Sequence, residues 1–142
     1  MAYLDTSVLV AYYCPEPISD AVQSLLARHP EPMISLLVRV EFASALSRKV
    51  RMRELSVRHA RSAFDRFDEH CSEGYFRLVS IEPGAYELAC KWLSGFETSL
   101  RGADALHVAV AYLNGEELLT ADSVLARSAK NLRVKVRLVR AS

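Results

Sequence analysis

The sequence has 142 residues, a formal net charge of +1 and a hydrophobic fraction of 51%. That length suits one domain spanning 1–142, which buries about 68–70% of its unfolded surface and needs no staple. A charge so near zero excludes a global field that would draw in nucleic acid, so any such contact must come from a local patch.

The apolar excess leaves room for an oligomer or partner surface as well as a core. Cys14, Cys71 and Cys90 are odd in number and widely spaced, with no Cys-x-x-Cys pair. Each reads as a buried hydrophobe in a reducing compartment, not as half of a bridge or a zinc ligand. Asp5 interrupts the apolar start of the chain, so no signal peptide is expected. No apolar run approaches ~18 residues, so no membrane span is expected either. A cytoplasmic protein follows from these readings.

Ala2, Tyr3 and Leu4 form a short strand that ends at Asp5, and Val8 to Tyr13 reads as a helix. Pro15 and Pro17 break it. Ile18, Val22, Leu25, Leu26 and His29 follow helical spacing until Pro30 and Pro32. Met33 to Ser35 is a second strand, and a helix runs from Leu36 towards Val50. Val57, Ala60, Phe64, Phe67 and Cys71 are spaced 3, 4, 3, 4, which predicts an amphipathic helix up to Gly74. Phe76 to Ile81 reads as a third strand.

Pro83 fits the first turn of the next helix, whose face is expected to be Tyr86, Ala89, Cys90, Leu93 and Phe96. Residues 103–113 are apolar nearly all round, so that helix is expected between layers, with Gly115 as its cap. Leu118 and Leu119 lead to Thr120 as a short strand. Asp122 to Leu132 is another helix, and Val134, Val136, Leu138 and Val139 make a last strand. Strands alternating with helices predict an α/β protein with a mainly parallel sheet of about five strands.

Four acids stand out. Asp5 and Asp122 each follow a predicted strand directly, and Asp104 opens the apolar helix that leads into the strand before Asp122. Each aspartate alone is accounted for by helix capping or by the helix dipole. Glu41 is not. Its neighbours at i−4, i−3 and i+4 are Leu37, Val38 and Ala45, and a carboxylate on an apolar face needs a cation or a partner. Placed on one sheet, all four acids come to the same end of it, where parallel α/β proteins bind ligands. Ligands that are all oxygen suit Mg²⁺, with Mn²⁺ possible, and not Zn²⁺.

The stretches that carry these acids are Tyr3-Leu4-Asp5-Thr6-Ser7-Val8-Leu9-Val10, Ser35-Leu36-Leu37-Val38-Arg39-Val40-Glu41, Leu100-Arg101-Gly102-Ala103-Asp104-Ala105-Leu106-His107-Val108-Ala109, and Leu119-Thr120-Ala121-Asp122 with Leu125-Ala126. In this order they resemble the PIN-domain ribonucleases, specifically the VapC toxins of toxin–antitoxin pairs. The resemblance implies a three-layer α/β/α sandwich with Asp5 at the end of the central strand. It implies a metal-dependent endoribonuclease whose catalytic and metal-binding acids match Asp5, Glu41, Asp104 and Asp122. Thr6 and Thr120 match positions that support such a site through hydroxyls. It further implies an RNA substrate, a VapB-like antitoxin and a homodimer. Arg133 departs from the pattern, since many relatives have Gly before the last strand, and Ser123-Val124 replaces a commoner basic-containing pair.

Asp5 and Asp104 are expected as direct metal ligands. Asp122 and Glu41 bind directly, bind through water or orient the attacking water, three roles that sequence leaves open. Basic residues crowd two segments, 48–66 and 127–140. These read equally as solvated faces or as a phosphate-tracking rim, with Arg48, Arg51 and Arg53 as the RNA-binding candidates. His107 reads as a satisfied buried side chain before it reads as a base or ligand. The Phe64 and Phe67 stripe reads as core or dimer surface rather than as a stacking platform. The alternatives are a receiver-like Mg²⁺-binding signalling module, and a PIN nuclease of RNA processing or DNA cleavage without an antitoxin. A receiver would want paired acids after the first strand, where Thr6 and Ser7 stand instead.

Overall fold

Ala2, Tyr3 and Leu4 form strand β1 (Ala2–Leu4), and all three side chains are buried. Side chains alternate across a strand, so Ala2 and Leu4 face one side and Tyr3 the other. The same alternation separates Ile34 from Met33 and Leu119 from Leu118, and the two hydrophobic cores divide along that line. The computed structural model describes residues 1–141.

In chain order β1 is followed by α1 (Thr6–Tyr13), α2 (Ser19–Ala27), β2 (Met33–Ser35), α3 (Leu36–Arg51), α4 (Val57–Ser72), β3 (Arg77–Val79), α5 (Pro83–Leu93), α6 (Gly102–Leu113), β4 (Glu117–Thr120), α7 (Ser123–Asn131) and β5 (Val136–Leu138). The five strands make one sheet in the order β3-β2-β1-β4-β5, with every pairing parallel. Helices α1 to α4 cover the face of Leu4 through Val8, Leu9, Val22, Phe42 and Phe67. Helices α5 to α7 cover the face of Tyr3 through Ala85, Ala89, Val108 and Leu125. This is the expected three-layer α/β/α arrangement.

The topology fixes where a crevice opens. The chain steps outward from β1 to β2 to β3, then crosses back to place β4 on the other side of β1. Strand order therefore reverses at β1, and in parallel sheets ligands bind beyond the carboxyl ends of the strands at such a reversal. Asp5 follows β1 at that point, and Asp122 lies two residues beyond β4.

Several expectations need correction. The packed face of α5 is Ala85, Leu88, Ala89, Trp92 and Leu93, not the one containing Tyr86 and Cys90. Tyr86 is 51% exposed and Cys90 lies four residues on, on the same outer side, so Cys90 is exposed rather than buried. The small Ala85 and Ala89 share their core with Ala105 and Ala109 of α6, so small side chains, not the largest ones, decide which way α5 faces. The helix ends at Leu93, which leaves Phe96 beyond it and 90% exposed. The third strand is only Arg77–Val79, because Phe76 turns into the helical layer beside Phe67. Cys14 is buried and Cys71 partly so. Phe67 is wholly buried and Phe64 packs beside it as core. Gly115 caps α6 with φ of 67°, a conformation costly for residues with a Cβ.

Candidate functional site

Asp5 extends the β1–β4 ladder by donating its N–H to the Leu119 carbonyl at 3.2 Å, then caps α1. Its carboxylate is 4% exposed and held on both oxygens. Ser7 Oγ donates to Oδ1 at 2.6 Å and the Val8 N–H reaches the same oxygen at 3.4 Å. Thr120 Oγ1 donates to Oδ2 at 2.7 Å. Ser7 and Thr120 are oriented in turn by the backbone after β4: Ala121 N–H donates to Ser7 Oγ at 2.9 Å and Asp122 N–H to Thr120 Oγ1 at 3.0 Å. Burial pushes the Asp5 carboxyl above its ordinary value, and the two hydroxyls and His107 only partly offset that.

Glu41 projects from the middle of α3 and finds the partner its apolar surroundings require. His107 Nε2 and Thr6 Oγ1 both meet its Oε1, the latter at 2.7 Å. The other imidazole nitrogen, Nδ1, is 2.7 Å from the Tyr3 hydroxyl, which is 2.9 Å from Ser35 Oγ. Burial favours a protonated Glu41, yet the His107 hydrogen bond, the attraction of the imidazole and the Thr6 hydroxyl outweigh it, holding the carboxyl below its usual range. Burial raises the Tyr3 phenol far above its ordinary value, so it remains neutral.

The other two acids stand at helix starts. Asp122 caps α7, accepting from the Val124 and Leu125 N–H groups at 2.9 and 3.1 Å, both on Oδ1. Its second oxygen bonds no described residue. Asp104 lies in the first turn of α6 and makes no side-chain hydrogen bond among the described residues. Burial first, then the charges of Asp122 and Glu41, push its carboxyl up, while His107 and Arg101 pull it down. Asp122 and Glu41 thus act on Asp104 at one end of the sheet. Beside Glu41 and Thr6 opens a cavity of about 560 Å³, walled by Arg48 and Lys49 of α3 and by Arg101, the residue before α6.

The model of the PIN domain matches residues 2–131. The chain belongs to the PIN-domain family. Comparison with curated protein sequences gives no significant match. Among solved structures, this PIN domain resembles FitAcB from Neisseria gonorrhoeae at 17% identity, covering 96% of both chains with a TM-score of 0.74. It resembles VapBC2 from Rickettsia felis, bound to a DNA fragment from their promoter, at 17% identity over 99% of this chain and 100% of that one (TM-score 0.71). VapC20 of Mycobacterium tuberculosis, a sarcin–ricin-loop-cleaving toxin, is 20% identical over 89% and 94%, with a TM-score of 0.70. At these identities the likeness is one of fold.

PIN-domain nucleases generally use divalent metal ions. The donor set of this PIN domain fits such an ion. It is all oxygen, and Asp104 is a half-buried carboxylate, raised by burial and then by its acidic neighbours, with no donor on it. Among the described residues no three His, Cys, Asp or Glu side chains are grouped tightly enough to hold an ion by themselves. Mg²⁺ does not need such a cage, since it keeps several waters and takes one or two carboxylates plus substrate phosphate.

The three RNA-binding candidates separate. Arg48 lines the cavity. Arg51 turns to Ser47 Oγ at 2.8 Å, and Arg53 lies exposed past the end of α3, neither on the cavity wall. Sequence reasoning missed Ser7, Tyr3, Ser35 and Arg101. Ser7 carried a weak signal in its place two residues after Asp5. Tyr3 and Ser35 carried none, because their partners lie on elements far off in the chain.

Proposed function

We propose that this PIN domain is a metal-dependent endoribonuclease toxin of the VapC type, acting in the cytoplasm through Asp5, Glu41, Asp104 and Asp122. The observation that carries this reading is the open carboxylate of Asp104. It lies at the strand-order reversal within the field of Asp122 and Glu41, at the start of the helix whose preceding residue, Arg101, walls the basic cavity.

A bound Mg²⁺ or Mn²⁺ would activate water and neutralise charge on the phosphate; Asp104 and Asp5 would hold it, with Asp122 reaching it through water. The chain's own groups do the rest. Ser7 and Thr120 lock the Asp5 carboxylate in one orientation. His107 and Thr6 hold Glu41 ionised, able to accept a hydrogen bond from the attacking water. Arg48 and Arg101 meet the phosphates of a single strand entering the cavity. Water oxygen forms the new bond to phosphorus, the bond to one ribose oxygen breaks, and that oxygen takes a proton.

The same reading includes a second copy and a VapB-like antitoxin. Leu36, Val40, Leu78 and Tyr86 are all more than half exposed around a hollow of about 440 Å³ beside the edge strand β3, an apolar face suited to another copy of this chain. No described helix is long and apolar enough to cross a membrane.

The deciding experiment is cleavage of single-stranded RNA by purified protein with Mg²⁺, Mn²⁺ or chelator. Cleavage that requires the metal and collapses in Asp104→Asn is the expected result. Cleavage by the well-folded variant at the wild-type rate overturns the site.

A further inference from the structure

We propose that the hollow between residues 94–101 and α7 is a nucleotide subsite, taking a base and a phosphate farther along the strand than the one that is cut. It rests on the RNA-nuclease reading above. The cavity measures about 410 Å³, and its wall combines the side chains of Trp92, Glu97, Ser99, Arg127, Ser128 and Asn131 with Lys91 at its edge.

Its chemistry is that of a nucleotide site. Lys91 and Arg127 have no carboxylate partner within 4.0 Å among the described residues, so two unpaired cations share the hollow with the single carboxylate of Glu97. Glu97 and the Asn131 amide likewise bond no described side chain. They offer an acceptor and both donor and acceptor groups to a base edge. Ser99 and Ser128 pair across the cavity at 3.2 Å, which ties the loop to α7 and shapes the wall.

Phe96 is a second, independent pointer. It stands between two lining residues, Gly95 and Glu97, with its ring 90% exposed and φ of 57°. The left-handed conformation costs a residue with a Cβ about 1–2 kcal/mol. Nothing in the fold repays that by burying the ring, and an aromatic ring held out beside a cationic hollow is what a stacked base requires.

Position joins the subsite to the acids. The loop ends at α6, which carries Asp104 in its first turn, and α7 starts at its cap Asp122. Arg127 is five residues along from Asp122, about 7.5 Å on the helix axis. Arg127, Ser128 and Asn131 of α7 all line the hollow, so a strand that leaves the acids along α7 runs into it and reaches Phe96 at its far end.

The test is anisotropy of a labelled short single-stranded RNA with the full chain in chelator, so that binding is read without cleavage. Phe96→Ala is expected to weaken binding by about 5- to 150-fold, the effect of losing one base–aromatic stack. Arg127→Ala is expected to reduce the slope of log affinity against log salt by about 0.7. Arg28→Ala, an exposed charge at the end of α2 on the other face of the sheet, is expected to change neither. Phe96 is exposed, so its variant keeps the wild-type melting temperature to within a few degrees. Wild-type binding by both Phe96→Ala and Arg127→Ala overturns the subsite, and metal-dependent cleavage lost in Asp104→Asn would still uphold the nuclease. Binding that depends on Phe96 and Arg127, in a protein that cuts no RNA, upholds the subsite and overturns the nuclease. A wild-type protein that binds no RNA overturns both.

Discussion

Asp5 and Glu41 differ from Asp104 and Asp122 in what holds them. The first two stand on a floor of side-chain hydrogen bonds. Ser7 and Thr120 grip Asp5, and Glu41 ends a buried run from Ser35 through Tyr3 and His107. The second two form a rim at helix starts, where Asp122 uses one oxygen as a cap and Asp104 uses none. Changing the floor disturbs folding and chemistry together, whereas changing the rim reaches chemistry almost alone. A buried polar group bears its whole desolvation cost when its partner goes, but a half-exposed one turns to water.

The largest expected effect falls on the rim. Asp104→Asn keeps the shape, removes one charge and breaks no hydrogen bond among the described residues. RNA cleavage is expected to fall by about 100- to 1,000-fold, the scale set by removing one well-placed electrostatic contact, with the melting temperature equal to wild type or higher. A melting temperature several degrees lower would show that Asp104 belongs to the floor.

On the floor, His107→Ala empties a wholly buried position and takes one partner each from Tyr3 and Glu41, which keep Ser35 and Thr6. Truncating a buried side chain and losing its two hydrogen bonds is expected to cost about 3 kcal/mol in urea unfolding, together with loss of cleavage. Tyr3→Phe removes only the hydroxyl and should cost less. Equal stabilities for wild type and His107→Ala would remove the distinction between floor and rim.

Metal and pH sharpen the comparison further. An ion at 100 times its dissociation constant adds about 2.7 kcal/mol if it ignores the unfolded chain. Mg²⁺ should therefore raise the wild-type melting temperature by several degrees and raise that of Asp5→Asn far less. Without metal, the raised Asp5 and Asp104 carboxyls favour the fold most fully below the ordinary aspartate value of 3.8. That contribution is lost as pH rises through their raised values. Glu41 has the opposite sign: its contribution is present above the ordinary glutamate value of 4.5 and is lost as pH falls through its lowered one. In chelator, Asp5→Asn should accordingly gain on wild type as pH increases from about 4. A constant difference across a melting series from pH 4 to 8 would contradict the buried, raised Asp5.

The smallest effect lies outside both regions. Arg133 has φ of 61° just after α7, at the position where the resemblance expected Gly. Arg133→Gly should stabilise by up to about 1 kcal/mol, because relief of left-handed strain is partly cancelled by the greater freedom of glycine in the unfolded chain. Thermal unfolding of the pair measures it.

The chain's own pattern was enough to place Asp5 and Asp122 after strands, Asp104 at a helix start and Glu41 on an apolar helix face. Short apolar runs and period-3.6 stripes are local, so the alternation of strands and helices follows from them. It was also enough to read His107 as a satisfied buried side chain, since a polar ring inside Ala-Leu-His-Val-Ala has to find partners.

Which partners it found was a tertiary matter. Tyr3 and His107 are 104 residues apart and Thr120 and Asp5 are 115 apart, and only the crossing of the chain back over β1 brings them together. The same holds for Arg101, made a cavity wall by the start of α6, and for Cys90, turned outward because Ala85 and Ala89 take the inner side of α5. Periodicity says that a helix has a buried face. Which residues occupy it is settled by the shape of the neighbour it packs against.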